Sequence, residues 1–282
     1  MIYLDFYIQF VSHIVQSHFP FPFCVTILTH FFQENGMDRQ GIYNRLTLAR
    51  DSGKPFWGIG VGVASASAAA KAGASWLLVN HTASLGLHMP GTVAALLPFA
   101  DANGEVLAAG PLVRTDVPVF ATAFASDGFR THAGLVRELK RAGYSAVQNF
   151  PSMGLTDGKI KAFLDAAEMG YNREVDFIRL ASAEGMFTSA LVFTPEQAEN
   201  MTMAGAGMIV FHPGLNADGE HRSWTNTAGE RLREIADAVR RIRPEVLLAR
   251  SAYGVEEWPP QKTDSGLGIQ FDGNFPNEGG KT

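Results

Sequence analysis

The sequence predicts an α/β chain folded as a (β/α)8 TIM barrel, with its eighth unit missing or degenerate. Three observations lead there. From Lys54 onward, short apolar runs alternate with helical stretches. The runs are continuously apolar, as parallel strands covered on both faces are. Several helices end in Ala-Gly before the next run, at Ala72-Gly73, Ala142-Gly143 and Ala204-Gly205, and a glycine there supports the left-handed cap that turns the chain back. Seven units fit between Pro55 and Ala249, about 28 residues each, which is the economy of a barrel rather than of an open doubly wound sheet.

The elements follow in order. Pro55–Val63 is the first strand, followed by a helix over Ser65–Ala72. Trp76–Asn80 is the second strand, then a long loop and helical pieces from Thr92 to Ala109. Strand Val117–Ala123 precedes helix Phe129–Ala142. Strand Ala146–Asn149 precedes helices near Ile160–Ala167 and Asn172–Glu184. Strand Phe187–Val192 leads into helix Pro195–Ala204, which has proline at its N-terminal position. Strand Met208–Phe211 leads into helix Thr227–Arg241, and Val246–Ala249 is the seventh strand.

The two ends differ from this pattern. Residues 1–36 hold seven of the 20 Phe, three of the eight His and the one Cys, Cys24. They have neither the basic start of a signal peptide nor an uninterrupted membrane-spanning run. They read as an extension or as translated upstream sequence, with Met37 opening a barrel domain over 37–249. Residues 250–282 read as an irregular tail rich in Gly, Pro, Asp and Asn. Leu267, Ile269 and Phe271 alternate there and can form one closing strand; a frameshift near Ala249 would account for the absent last helix.

Composition narrows the function. Apolar residues make up 46% and charged residues 18%, enough for a core. A net charge of −5 implies no basic face, so nucleic acid is not an expected partner. No membrane partner is expected either. A single cysteine allows no intrachain disulfide and suits a cytoplasmic location. No Walker A, HExxH, Gly-x-Ser-x-Gly or cysteine-cluster motif is present.

Chemistry in parallel βα folds collects where strands end, which selects Gly60, Gly62, Ser65, Asn80, Asp127, Asn149, Ser152 and His212. Gly58-x-Gly60-x-Gly62 suits either a phosphate-binding turn or close helix packing. His212 suits a general base, a ligand or a loop hydrogen bond. Asp127 suits a metal ligand or a cap for the helix near Phe129. Asn149, a neutral amide, orients a carboxylate or carbonyl better than it moves protons.

One stretch is more specific. Val147-Gln-Asn-Phe-Pro-Ser-Met-Gly-Leu-Thr-Asp-Gly158, with Glu168-Met-Gly-Tyr171, Glu174 and Phe193 through His212-Pro-Gly-Leu215, resembles the phosphoenolpyruvate hydrolase-like family. The resemblance covers Asp38–Ala249. It implies a TIM barrel of the phosphoenolpyruvate/pyruvate superfamily and a hydrolase or lyase acting on a small oxo-acid or phospho-oxo-acid. It also implies Mg2+ stabilising an enolate-like oxyanion, and a homo-oligomer. On that basis Asp127 stands near the metal, His212 is the acid/base, and Asn149 with Asn80 orients substrate. The remaining binding residues are Gly60, Gly62, Ser65 and Ser152. Two departures accompany it. The loop after strand 2, residues 80–91, lacks the family's arginine, the natural clamp for a phosphate or carboxylate. Arg250-Ser-Ala-Tyr-Gly254 replaces a His-Gly-Gly-Pro-type loop. A non-catalytic barrel that senses a ligand or binds a partner is the alternative.

Overall fold

A computed structural model of the chain describes residues 37–80, 101–214, 226–252 and 267–274. Within them eight parallel strands close a barrel in sequence order. The strands are β1 (Trp57–Val61), β2 (Trp76–Val79), β3 (Val119–Ala123), β4 (Ala146–Asn149), β5 (Phe187–Val192), β6 (Met208–Phe211), β7 (Leu247–Ala252) and β8 (Leu267–Asn274). The helices are α1 (Arg39–Asp51), α2 (Ala66–Lys71), α3 (Ala102–Ala109), α4 (His132–Arg141), α5 (Gly158–Ala166), α6 (Tyr171–Ala183), α7 (Pro195–Met203) and α8 (Asn226–Ile242). Gly73, Gly143 and Gly205 all take positive φ, between 89° and 99°, so the Ala-Gly helix ends turn back as expected.

The barrel continues past Ala249. β7 runs to Ala252, and β8 pairs with both β7 and β1. A single strand from the stretch expected to be an irregular tail therefore closes the sheet. The expectations for residues 1–36 and for the helical pieces at 92–100 lie outside the described residues.

One helix was not legible from the pattern. α1 carries only Ile42 and Leu46 as buried residues, too few for a strong periodic signal. Asp38 caps it, accepting from Gly41 N–H at 2.7 Å. Arg39 then ties it to the barrel by donating to the Ser182 carbonyl and hydroxyl, each at 3.1 Å.

Register decides which residues face the barrel axis, because partnered residues of parallel strands point to the same side and successive residues alternate. Gly58 pairs with Trp76, Leu78 with Phe120 and Ala146 with Phe187 on neighbouring strands. These residues form the floor. Phe56 and Trp76 lie 5.0 Å apart and Phe120 and Phe187 5.6 Å apart between ring centres. A Cβ on Gly58 would run into the Trp76 indole, so glycine is what lets that ring cross under β1. One step nearer the C-terminal ends, the same face becomes polar.

Candidate functional site

The polar layer is built from strand parity. Thr122 pairs with Gln148 and Gln148 with Ser189. Ser251 pairs with Gln270. All five therefore share the inner face near the C-terminal ends, Asn80 lines the cavity there just beyond β2, and His212 follows β6 at the same end. Gln148 and Gln270 meet across the barrel from β4 and β8. Each donates its amide to the other's oxygen, at 3.0 and 3.1 Å, and Gln148 also donates to Ser189 Oγ at 2.9 Å. Thr122 donates to the Val79 carbonyl at 2.9 Å. Above this layer a cavity of about 20 Å³ is lined by Gly60, Leu78, Asn80, Thr122, Gln148, Phe150 and Gln270. It has room for about one water-sized group.

His212 is buried and its ring lies 5.4 Å from that of Phe193. Its Nδ1 accepts the Gly214 N–H at 2.8 Å. A nitrogen that accepts cannot carry the proton, so the neutral ring holds its hydrogen on Nε2. The imidazole is thus set as a hydrogen-bond donor. Among the inward residues whose side chains are described, every polar one is neutral.

Asn149 occupies the opposite face from Gln148, one residue away. Its Oδ1 accepts Leu191 N–H at 2.7 Å, and its Nδ2 donates to the Leu191 carbonyl at 3.2 Å and to Glu174 at 2.5 Å. The amide is fully spent on joining β4 to β5 and α6. Glu174 also accepts from Ser152 Oγ at 2.8 Å and from Met153 N–H at 2.6 Å. Burial pushes the Glu174 carboxyl up to about 8, against these three hydrogen bonds, which pull it down. Asn149 and Ser152 therefore belong to a buried clamp outside the barrel wall, not to the inner face.

Asp127 sits in a third place. Its carboxylate accepts from Asn103 Nδ2 at 2.8 Å, from Phe129 N–H at 2.7 Å and from Arg130 at 3.0 Å. Arg130 also forks onto Asp101 at 2.7 and 2.6 Å. Burial raises the Asp127 carboxyl, but the Asn103, Phe129 and Arg130 hydrogen bonds outweigh it and leave the group below its ordinary value. Thr131, rather than Asp127, caps α4. The bond to Phe129 N–H, two residues on, is an Asx turn. Ser65 closes the β1 loop on itself, bonding the Gly62 carbonyl and N–H at 3.3 and 3.2 Å.

The expected site residues thus fall into separate groups. Gly60 and Asn80 line the mouth cavity, and His212 follows β6 at the same end of the barrel with its ring against Phe193. Gly62 and Ser65 shape the rim of the mouth, Asn149 and Ser152 serve the Glu174 clamp, and Asp127 serves the Arg130 cluster. Sequence reasoning missed Thr122, Gln148, Ser189, Ser251 and Gln270. Their signal was a polar residue inside an otherwise apolar strand, since buried polar groups are placed where something bonds them. Glu174 was legible in the same way, lying on the buried stripe Tyr171, Val175 and Ile178 of α6.

Both Asp127 oxygens already accept hydrogen bonds, and no group of three His, Cys, Asp or Glu among the described residues is placed to hold a metal.

Comparison with known proteins agrees with this architecture. The sequence profile described as phosphoenolpyruvate hydrolase-like matches residues 41–255. The chain belongs to that family. The ToMV susceptible protein tm-1(GCR26) of Solanum lycopersicum is 36% identical over 216 residues, covering 73% of this chain and 28% of that protein. The ToMV resistance protein Tm-1(GCR237) of the same plant is 35% identical over 219 residues, covering 74% and 29%. The chain therefore spans less than a third of the length of these two relatives. Among solved structures, a phosphonopyruvate hydrolase superposes with TM-score 0.51 at 20% identity, covering 83% of this chain and 80% of that one. An oxaloacetate acetylhydrolase superposes with TM-score 0.51 at 13% identity, covering 82% and 80%. These likenesses place the fold of this phosphoenolpyruvate hydrolase-like chain among those barrels. No helix among the described residues is long and apolar enough to cross a membrane.

Proposed function

We propose that the barrel is an enzyme acting at its C-terminal mouth on a small oxo-acid or phospho-oxo-acid, by carbon–carbon or phosphate-ester chemistry. The observation that supports this is the inner polar layer at the C-terminal ends of the strands, with His212 following β6 at the same end, in a chain of this family. Asn80, Gln148 and Gln270 are neutral amides suited to orient carboxylate and carbonyl oxygens without transferring protons. Gly60 keeps the β1 side of the mouth open to a ligand's approach. His212, held with its proton on Nε2, polarises a carbonyl or protonates a leaving oxygen, so its role is that of an acid before that of a base.

The test is turnover of phosphonopyruvate, phosphoenolpyruvate and oxaloacetate, followed as released phosphate or new carboxylic acid. His212→Ala should lower kcat by ~10²–10⁴-fold while circular dichroism stays unchanged. Full rate in that variant of an active preparation would remove His212 from the mechanism. The second reading, a non-catalytic barrel that binds a small acid, is favoured by the Gln148–Gln270 pair, which satisfies the lumen internally. A ligand that raises Tm with no product formed would select it.

A further inference from the structure

One residue lining the mouth cavity carries a ring. Phe150 is half-buried, packs on the core and borders the cavity with Gly60, Asn80 and Gln148. It stands two residues after Gln148, so strand alternation returns it to the inner side. Its side chain is the largest on the cavity. Gly60, on β1 three strands away, presents no side chain at all. The ring therefore sets the width between these two walls.

The backbone that carries the ring is held on both sides. Before it, Asn149 Nδ2 donates to Glu174 at 2.5 Å. After it, Ser152 Oγ and Met153 N–H donate to the same carboxylate at 2.8 and 2.6 Å. The Phe150 N–H itself donates to the Ala123 and Gln148 carbonyls at 3.2 and 3.0 Å. Only the two side-chain torsions are left to vary.

A ring in that position offers a polar ligand no hydrogen bond; it acts by excluding volume. The amides of Asn80, Gln148 and Gln270 recognise oxygen atoms and do not distinguish what lies beyond them. The cavity of about 20 Å³ beside them admits about one water-sized group. Discrimination among acids that share the same oxygens falls to the ring. Resting on the oxo-acid reading of the mouth, we infer that Phe150 is its specificity-determining residue, a size filter that limits how long a side chain an oxo-acid can bring into the lumen.

Pyruvate, 2-oxobutyrate and 2-oxovalerate lengthen by one methylene at each step and serve as a ruler. Calorimetric titration into the full chain should show Kd rising ~tenfold or more per methylene. Phe150→Ala should abolish or invert that order, with the smallest change for pyruvate. Phe150→Leu keeps an apolar contact with the core and should reduce the step, which preserves the test if the alanine variant fails to fold by circular dichroism. A second readout needs no oxo-acid. The ring shields the side-chain amides of Gln148 and Gln270, so their hydrogen exchange, followed by NMR, should lose protection in the variants.

An unchanged order of affinities in folded variants overturns the filter and leaves the oxo-acid reading standing. Unchanged amide protection overturns it as well. Lost protection with no oxo-acid bound by parent or variant overturns the oxo-acid reading and leaves the ring as the barrier of the lumen. Binding that appears only in the variants supports the filter in its strictest form.

Discussion

Gln148 and Asn149 are adjacent amides of similar chemistry, both buried, and they sit in different regions of the molecule. Gln148 faces the barrel axis and meets Gln270 across the lumen. Asn149 faces outward and meets Glu174 and the Leu191 backbone. The inner region is a layer of neutral groups open to the mouth cavity. The outer region is a closed clamp around one carboxyl. Residue type and nearness to a strand end do not distinguish a ligand-facing group from a structural one; parity along the strand does.

The largest expected effect breaks the clamp. Glu174→Ala leaves three buried donors, on Asn149, Ser152 and Met153, without their acceptor, which should cost ~3 kcal/mol or more of unfolding free energy by denaturant titration. Glu174→Gln keeps the shape and isolates the charge. The Glu174 carboxyl sits near 8 when folded, above the ~4.3 of an unperturbed glutamate. Between those values the folded chain holds a proton that the unfolded chain has released. Its stabilising contribution is therefore complete below the lower value and is lost as pH rises toward the upper one. The slope is at most ~1.4 kcal/mol per pH unit. Ser152 makes the proton tolerable, because its hydroxyl alone among the three partners can turn from donor to acceptor. Glu174→Gln should flatten the pH dependence of Tm in this window. An unchanged slope would show that Glu174 is ionised throughout.

The next effect sets the two neighbours against each other. Asn149→Ala should cost ~2–3 kcal/mol, because the Leu191 N–H and the Glu174 carboxyl each lose a partner in a sealed space. Gln148→Ala should cost ~1 kcal/mol, since its partners Gln270 and Ser189 border a cavity that water can enter. Ligand affinity should move the other way, falling for Gln148→Ala and changing little for Asn149→Ala once stability is matched. Calorimetric titration of an oxo-acid into both variants decides it. Equal affinity losses would mean that the wall does not separate the two regions.

The same contrast explains what the sequence disclosed. Strands β4, β5 and β6 were legible to the residue, because continuous apolar runs bounded by glycine and polar turns have few other solutions. The closing strand β8 was legible only as a possibility, since nothing helical follows it. Helix α1 escaped because its long polar stretch buries two side chains. Gly60, Asn80 and His212 were named by position alone, and the first two line the mouth cavity. The inner residues Gln148 and Gln270 were hidden because an unaligned strand shows its alternation only when one face is exposed to water, and these strands are covered on both. Asp127 and Asn149 drew attention as polar groups at strand ends. Their partners Arg130 and Glu174 lie elsewhere in the chain, and only the folded chain brings them into contact.

The smallest effect concerns Asp127, and it tests whether the third group belongs with the mouth or with the scaffold. Its carboxylate binds Asn103, the Phe129 N–H and Arg130, while Arg130 keeps a bidentate grip on the more exposed Asp101. Asp127→Asn removes the charge but leaves an oxygen for the Asx turn, and Arg130 retains Asp101. The loss should be ~1 kcal/mol, seen as a small drop in Tm that grows as pH rises through the carboxylate range. Below that range both proteins carry a neutral side chain, and the difference should vanish. A scaffold role predicts that titrated Mg2+ raises Tm by the same amount in Asp127→Asn as in the parent. A metal ligand predicts that the variant loses that increment. A selective loss would return Asp127 to the chemistry and require the Arg130 pair to open when the cation binds.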